Sequence, residues 1–143
     1  MQLQVDDVTG LVVDAALKLH VRLGPGLLES VYETLLARDL EACGLKIQRQ
    51  LAIAFDFEGL HFDEGLRVDL LVNDILVVEL KSIDKLSPVH TKQVLTYLRL
   101  LKLPVGLLIN FGGATLKEGL RRVVNNYTPS ASSVLRINRP RAP

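Results

Sequence analysis

Eighteen residues, 66–83 (LRVDLLVNDILVVELKSI), constrain this chain more than any others. Strand-forming residues stand on both sides of Asn73-Asp74, a turn-forming pair, so a β-hairpin is expected. Successive side chains on a strand point to opposite faces. Val68, Leu70 and Val72 therefore make one apolar stripe, and Leu76, Val78 and Leu80 make another. A two-residue loop at Asn73-Asp74 would pair Leu70 with Val77 and Asp69 with Val78, throwing the two stripes onto opposite faces. A shift of one residue brings the stripes together and sets Asp69 opposite Glu79. The sequence thus predicts a three-residue loop or a bulge, despite a signature typical of two.

That register has a chemical consequence. Glu79 and Lys81 share one face of their strand, and Asp69 joins them from the next. An acid-x-lysine triplet alone is weak, since a chain of this length holds on the order of one by chance. An exposed ion pair at a strand edge is its plain alternative. Here the charges interrupt the apolar run 75–80, and paired charges at such depth usually have a use. Two carboxylates beside a lysine can hold a hard cation and stabilise a developing phosphorane, the minimum equipment of a metal-dependent phosphodiesterase.

Helices are expected on either side. Thr9 or Asp7 can cap a first helix with the apolar face Leu11, Val12, Ala15, Ala16 and Leu19, ending near Gly24. Gly24-Pro25-Gly26 forces a turn. A second helix follows, with Leu28, Val31, Leu35, Leu36 and Leu40 as its buried stripe and Gly44 as its stop. Residues 47–57 hold one or two strands, Glu58-Gly59 reads as a turn, and 60–62 returns briefly. Ser87-Pro88 opens a helix that runs to about Lys102 and buries Val94, Leu98 and Leu101. Residues 104–109 are continuously apolar, as in a strand covered on both faces. Thr115 can cap a last helix through Val124. The expected order is α-α-β-β-β-β-α-β-α, a mixed α/β sheet flanked by helices, in one domain over 1–127. A flexible basic tail, 128–143, carries Arg136, Arg139 and Arg141.

Composition narrows the function classes. With 143 residues, 48% of them hydrophobic, the chain can bury a substantial core. No apolar run is long enough to span a bilayer and no signal peptide is recognisable, so a cytoplasmic protein without membrane contact is expected. The single cysteine, Cys43, excludes an internal disulfide and a cysteine-built zinc or iron–sulfur site within one chain. The net charge of +1 means that any nucleic-acid-binding surface must be local, with Arg121, Arg122 and the tail as candidates.

Two further groups of polar residues stand out. Glu29, Tyr32 and Glu33 fall on one face of the second helix, opposite the leucine stripe. His90, Gln93 and Tyr97 form a polar stripe on the helix after Lys81, whose neutral donors can orient water or phosphate. Each group has an ordinary structural explanation: a helix-dipole carboxylate and boundary packing for the first, an exposed helix face for the second. Gly112-Gly113 is no phosphate loop, because the lysine and hydroxyl of such a motif are absent.

Taken together, these residues resemble the GxxExxY proteins, placed within the PD-(D/E)xK nuclease-like superfamily. Gly26-Leu27-Leu28-Glu29-Ser30-Val31-Tyr32 matches the naming motif. Asp69, Glu79-Leu80-Lys81, Gln93-Val94-Leu95-Thr96-Tyr97 and Gly106-Leu107-Leu108-Ile109-Asn110-Phe111 follow in the expected order. The resemblance covers roughly residues 11–124 and implies a restriction-endonuclease-like core. It implies that Asp69 and Glu79 are the main metal ligands, with the Leu80 carbonyl near the ion and Glu29 as a supplementary helical acid. Lys81 would orient the attacking water or stabilise transition-state charge, and Gln93 and Tyr97 would line the site. Val68 stands where the superfamily's namesake proline would be, a change that removes no ligand.

The resulting expectation is a nuclease dependent on Mg²⁺ or Mn²⁺, since hard oxygen ligands favour these over zinc. Its partner is a nucleic acid, DNA ahead of RNA. The rival is a catalytically silent binding or regulatory module on the same fold. A homodimer that completes the groove is a further possibility.

Overall fold

The computed structural model describes residues 2–126, so the tail expected over 128–143 lies outside the described residues. The chain runs α1 (Val5–Leu23), α2 (Glu29–Ala42), β1 (Ile47–Phe57), β2 (Leu60–Val72), β3 (Leu76–Lys81), α3 (Pro88–Leu101), β4 (Val105–Asn110), a 3-10 turn (Lys117–Gly119) and β5 (Leu120–Val124). The five strands form one mixed sheet in sequence order, β3 and β4 being parallel and the other neighbours antiparallel. No described helix is long and apolar enough to cross a membrane.

Side-chain alternation along the strands divides the core between the two faces. Leu70, Val72, Leu76, Val78, Leu80 and Ile109 pack against α1 and α2. Leu71, Val77, Leu108 and Val123 pack against Val94 and Leu98 of α3. The hairpin takes the shifted register: Leu70 pairs with Val78, Leu71 with Val77 and Val72 with Leu76. Asn73, Asp74 and Ile75 form the three-residue loop, and Asn73 and Asp74 adopt the positive φ that Asn and Asp tolerate best. Joint burial of Leu70, Val72, Leu76, Val78 and Leu80 therefore outweighs the preference for a two-residue turn, while Val68, expected in the same stripe, is buried in the other cluster with Ile53, Leu66 and Leu71.

Four expectations need correction. The segment that Thr115 was expected to cap is not a helix. It makes one 3-10 turn and then β5, because the outer edge of β4 needs a hydrogen-bonded partner and Val123 and Val124 suit a strand. Gly119 fits where a Cβ would stand 2.5 Å from the Asn110 carbonyl, so the chain enters β5 in close contact with β4. The residues expected as two strands around 60–72 form one continuous strand, whereas β1 is single, one of the two outcomes expected for 47–57. Helix α1 begins at Val5, ahead of either expected cap, because Gln4 and Asp7 satisfy each other's backbone N–H groups. Finally, α2 buries Tyr32, Glu33, Leu36, Ala37 and Leu40, while Leu28 and Val31 are exposed. Tyr32 and Glu33 therefore lie on the same face as the leucines, not opposite them.

Tyr32 explains that rotation. Its ring stacks on Phe111 at 4.3 Å and 7°. Its hydroxyl donates to the Gly24 carbonyl at 2.6 Å and accepts from the Leu27 N–H at 3.2 Å. The tyrosine thus anchors the Gly24-Pro25-Gly26 turn to the core, and that fixes the angle at which α2 enters.

Candidate active site

The β2–β3 ladder stops at Leu70↔Val78, and the two strands part there. At the fork, side chains replace the missing backbone partners. The Asp69 N–H donates to Glu79 Oε1 at 3.0 Å, and the Leu80 N–H donates to Asp69 Oδ2 at 2.8 Å. Each carboxylate is thereby aimed by the opposite strand. Alternation puts Asp69, Glu79 and Lys81 on the α3 side of the sheet, in line with Leu71 and Val77.

The electrostatics of the pair are unfavourable without a cation. Glu79 is only 5% exposed. Burial, then the charge of Asp69, pushes its carboxyl up to about 8, and Lys81 opposes this only in part. Tyr97 is half-buried beside the pair, and its phenol is also pushed up by burial and by the charges of Glu79 and Asp69. Gln93 donates to the Tyr97 hydroxyl at 2.9 Å. The fold therefore gathers Asp69, Glu79, Lys81, Tyr97 and Gln93 into one locale.

Glu29 stands apart. It lies exposed in the first turn of α2, and no hydrogen bond or ion pair joins it to Asp69 or Glu79 among the described residues. The helical acid connected to the pair is Glu33, one turn on. The side-chain amide of Gln50 donates to Glu33 Oε1 at 2.5 Å and to Asp69 Oδ1 at 3.2 Å, while Arg49 donates to Glu33 Oε2 at 3.1 Å. Gln50 reaches both acids from a backbone with φ of 47°, inside a strand, and Arg67 donates to its carbonyl. Such a conformation costs a non-glycine residue roughly 1–2 kcal/mol and marks a position held by its surroundings.

The segment after Lys81 is fixed from β4. Asn110, fully enclosed, accepts from the N–H groups of Ile83 and Gly112 and donates to the Ile83 carbonyl, all at 2.9–3.0 Å. Gly112 is in contact with the same loop, and a Cβ there would stand 2.0 Å from the Ile83 oxygen. On the other face, His20 of α1 lies within 3.1–3.2 Å of the Phe111 and Gly113 carbonyls through Nε2, which must carry the proton because both partners only accept. His90, part of the expected polar stripe, is used in the α3 cap: its Nδ1 accepts the Ser87 N–H at 3.0 Å.

Sequence reasoning missed Gln50 and gave Asn110 no role of its own. The acids that Gln50 bridges and the Ile83 loop that Asn110 holds lie far along the chain, and no spacing rule links them.

The donor set suits a small hard cation. Asp69 and Glu79 supply oxygen only, and no group of three or more His, Cys, Asp or Glu with metal-binding placement occurs among the described residues. Mg²⁺ is characteristically held by one or two carboxylates, with water and substrate phosphate completing its shell. A divalent charge would also offset the burial and mutual repulsion that raise Glu79.

The family profile of the PD-(D/E)XK nuclease superfamily matches residues 6–123. The chain belongs to that superfamily. Asp69, Glu79 and Lys81 stand inside the matched region, on the strands that form the fork. No curated protein and no solved structure matches the chain significantly.

Proposed function

We propose that this PD-(D/E)XK protein is a metal-dependent nuclease hydrolysing phosphodiester bonds, with DNA ahead of RNA as substrate and Mg²⁺ or Mn²⁺ as its ion. The observation that carries the reading is the reciprocal bracing at the fork, where Asp69 and Glu79 are each held by a backbone N–H of the other strand. Within the superfamily we place the chain with the GxxExxY proteins, on the motif Gly26 to Tyr32. A cytoplasmic setting accords with the unbridged, exposed Cys43.

Asp69 and Glu79 would hold the ion, with the Leu80 carbonyl beside it. When bound, the ion lowers the pKa of water and neutralises charge on the scissile phosphate. Lys81, two residues from Glu79 on the same face, places a positive charge where negative charge grows on the phosphorus oxygens. Tyr97 and Gln93 orient phosphate or water by hydrogen bonding, with Gln93 holding the phenol in place. Gln50 keeps Asp69 from turning away.

The test is cleavage of single-stranded, duplex and branched DNA and of RNA with Mg²⁺ or Mn²⁺, beside identically purified Glu79→Ala. Cleavage by the wild type alone is expected. Silence in both, with no metal binding by calorimetry, would overturn the reading in favour of a catalytically silent binding module.

A further inference from the structure

Charge is distributed very unevenly along this chain. Residues 1–80 hold six Lys and Arg against fourteen Asp and Glu, whereas residues 81–121 hold seven against two. The surface ion pairs of the described residues are made by residues up to 74 and by Arg122. None of the seven cations from Lys81 to Arg121 takes part in one. Among the described residues, every lysine and arginine outside these ion pairs except Arg22 thus lies on the segment that carries Lys81, α3 and the entry to β5.

Three of these cations meet in a cavity. A cleft of about 770 Å³ at the C-terminal end of β4 is lined by Lys85, Lys117 and Arg121, with Thr115 as a neutral donor and Asn110 at its wall. Asp84 and Glu118 also line it, so cations outnumber acids by one. A smaller cleft of about 280 Å³ adjoins it through Leu86 and Arg121 and adds the hydroxyls of Ser87 and Thr91. The register ties both to the fork. Asn110 pairs with Lys81, and Glu79, Leu108 and Arg121 stand in one row across β3, β4 and β5. Two strand spacings, about 10 Å, separate the backbones of Glu79 and Arg121. Val94 and Leu98 of α3 cover Leu108 between them. A strand leaving the fork toward Arg121 must therefore pass around the N-terminal end of α3, over the loop that carries Lys85.

We propose that Lys85, Lys117 and Arg121 form a binding groove for the phosphates flanking the scissile one. The inference rests on the nuclease reading, but it concerns binding and can fail separately. The groove offers cations and neutral donors but no aromatic ring on which a base could stack, so it grips backbone and is indifferent to sequence.

The experiment measures fluorescence anisotropy of labelled single-stranded and duplex oligonucleotides in EDTA, from about 50 to about 200 mM NaCl. Wild type is compared with the triple variant Lys85→Gln, Lys117→Gln, Arg121→Gln and with a charge-matched control on the α1–α2 side, Lys18→Gln, Arg22→Gln, Arg38→Gln. Each lost phosphate contact removes close to one unit from the slope of log K against log salt. The groove variant is expected to flatten that slope by about two to three and to bind Mn²⁺ like wild type in calorimetry. The control is expected to keep the wild-type slope. Equal loss in both variants, an unchanged slope in the groove variant, or no oligonucleotide binding by the wild type would each overturn the groove. Cleavage with an unaltered slope sinks the groove alone; a flattened slope without any cleavage in Mn²⁺ sinks catalysis alone.

Discussion

Replacing Glu79 by Gln should stabilise the metal-free protein at neutral pH. In the folded chain the Glu79 carboxyl titrates near 8, against 4.5 without the fold, because burial and Asp69 oppose its ionisation. A carboxyl raised in this way contributes stability that is complete below about pH 4.5 and is lost as pH rises toward 8. In that window the unfolded chain ionises and the folded one resists, so stability falls by about 1.4 kcal/mol per pH unit and by on the order of 3 kcal/mol at pH 7. Gln keeps the shape, can still accept the Asp69 N–H, and can donate to the Asp69 carboxylate, but it does not titrate. Urea denaturation in EDTA at several pH values between 4 and 9 reads the effect. Wild type and variant should coincide at the acid end and diverge toward neutrality, with the variant more stable. Adding Mn²⁺ should reverse the order at pH 7, since ligand binding to the native state stabilises only the protein that retains both carboxylates. A wild-type midpoint that is flat from pH 5 to 8, or a variant less stable than wild type at pH 7 in EDTA, would refute the reasoning.

Lys81→Ala should lower kcat by about a hundredfold to a thousandfold while leaving Mn²⁺ affinity in calorimetry near wild type; equal loss of both would contradict a purely electrostatic role. Gln50→Gly removes the bridge to Asp69 and relieves the positive φ together, so metal affinity should drop about tenfold to a hundredfold with little change in thermal midpoint. A large fall in that midpoint would make Gln50 a folding residue instead. Gly112→Ala forces a methyl group into the Ile83 backbone and should destabilise the protein by about 2 kcal/mol, measured by urea denaturation.

The strands of the fork were legible because two constraints agree. Leu70 and Val72 can be buried together with Leu76, Val78 and Leu80 in one register only, and that register sets Asp69 level with Glu79. Local periodicity carried enough information there. Across 115–124 it did not: a cappable Thr, a lysine and a glutamate in the turn after it and an apolar end fit a helix, and only the unpaired edge of β4, distant in sequence, makes a strand the better outcome. In α2 the leucine spacing was visible, yet the stacking of Tyr32 on Phe111 chose which residues face inward. Gln50 was hidden for a related reason. Its left-handed backbone is imposed by Glu33 and Asp69, one on a helix and one on the neighbouring strand, and neither influence is local.

Parting β2 from β3 has a cost that falls well away from any substrate. From residue 60 to 69, β2 has a strand partner on one side only, leaving a run of backbone donors and acceptors open to pairing by another chain. Edges of this kind seed aggregation unless something discourages a newcomer. Here Asp63, Glu64 and Arg67 occupy the open stretch and are exposed. A strand laid alongside would have to desolvate or repel them. Substitutions that neutralise Asp63 and Glu64, neither of which bonds to the fork, would leave its carboxylates in place and yet shorten the shelf life of the concentrated protein, so solubility is the property that guards the opening of the sheet.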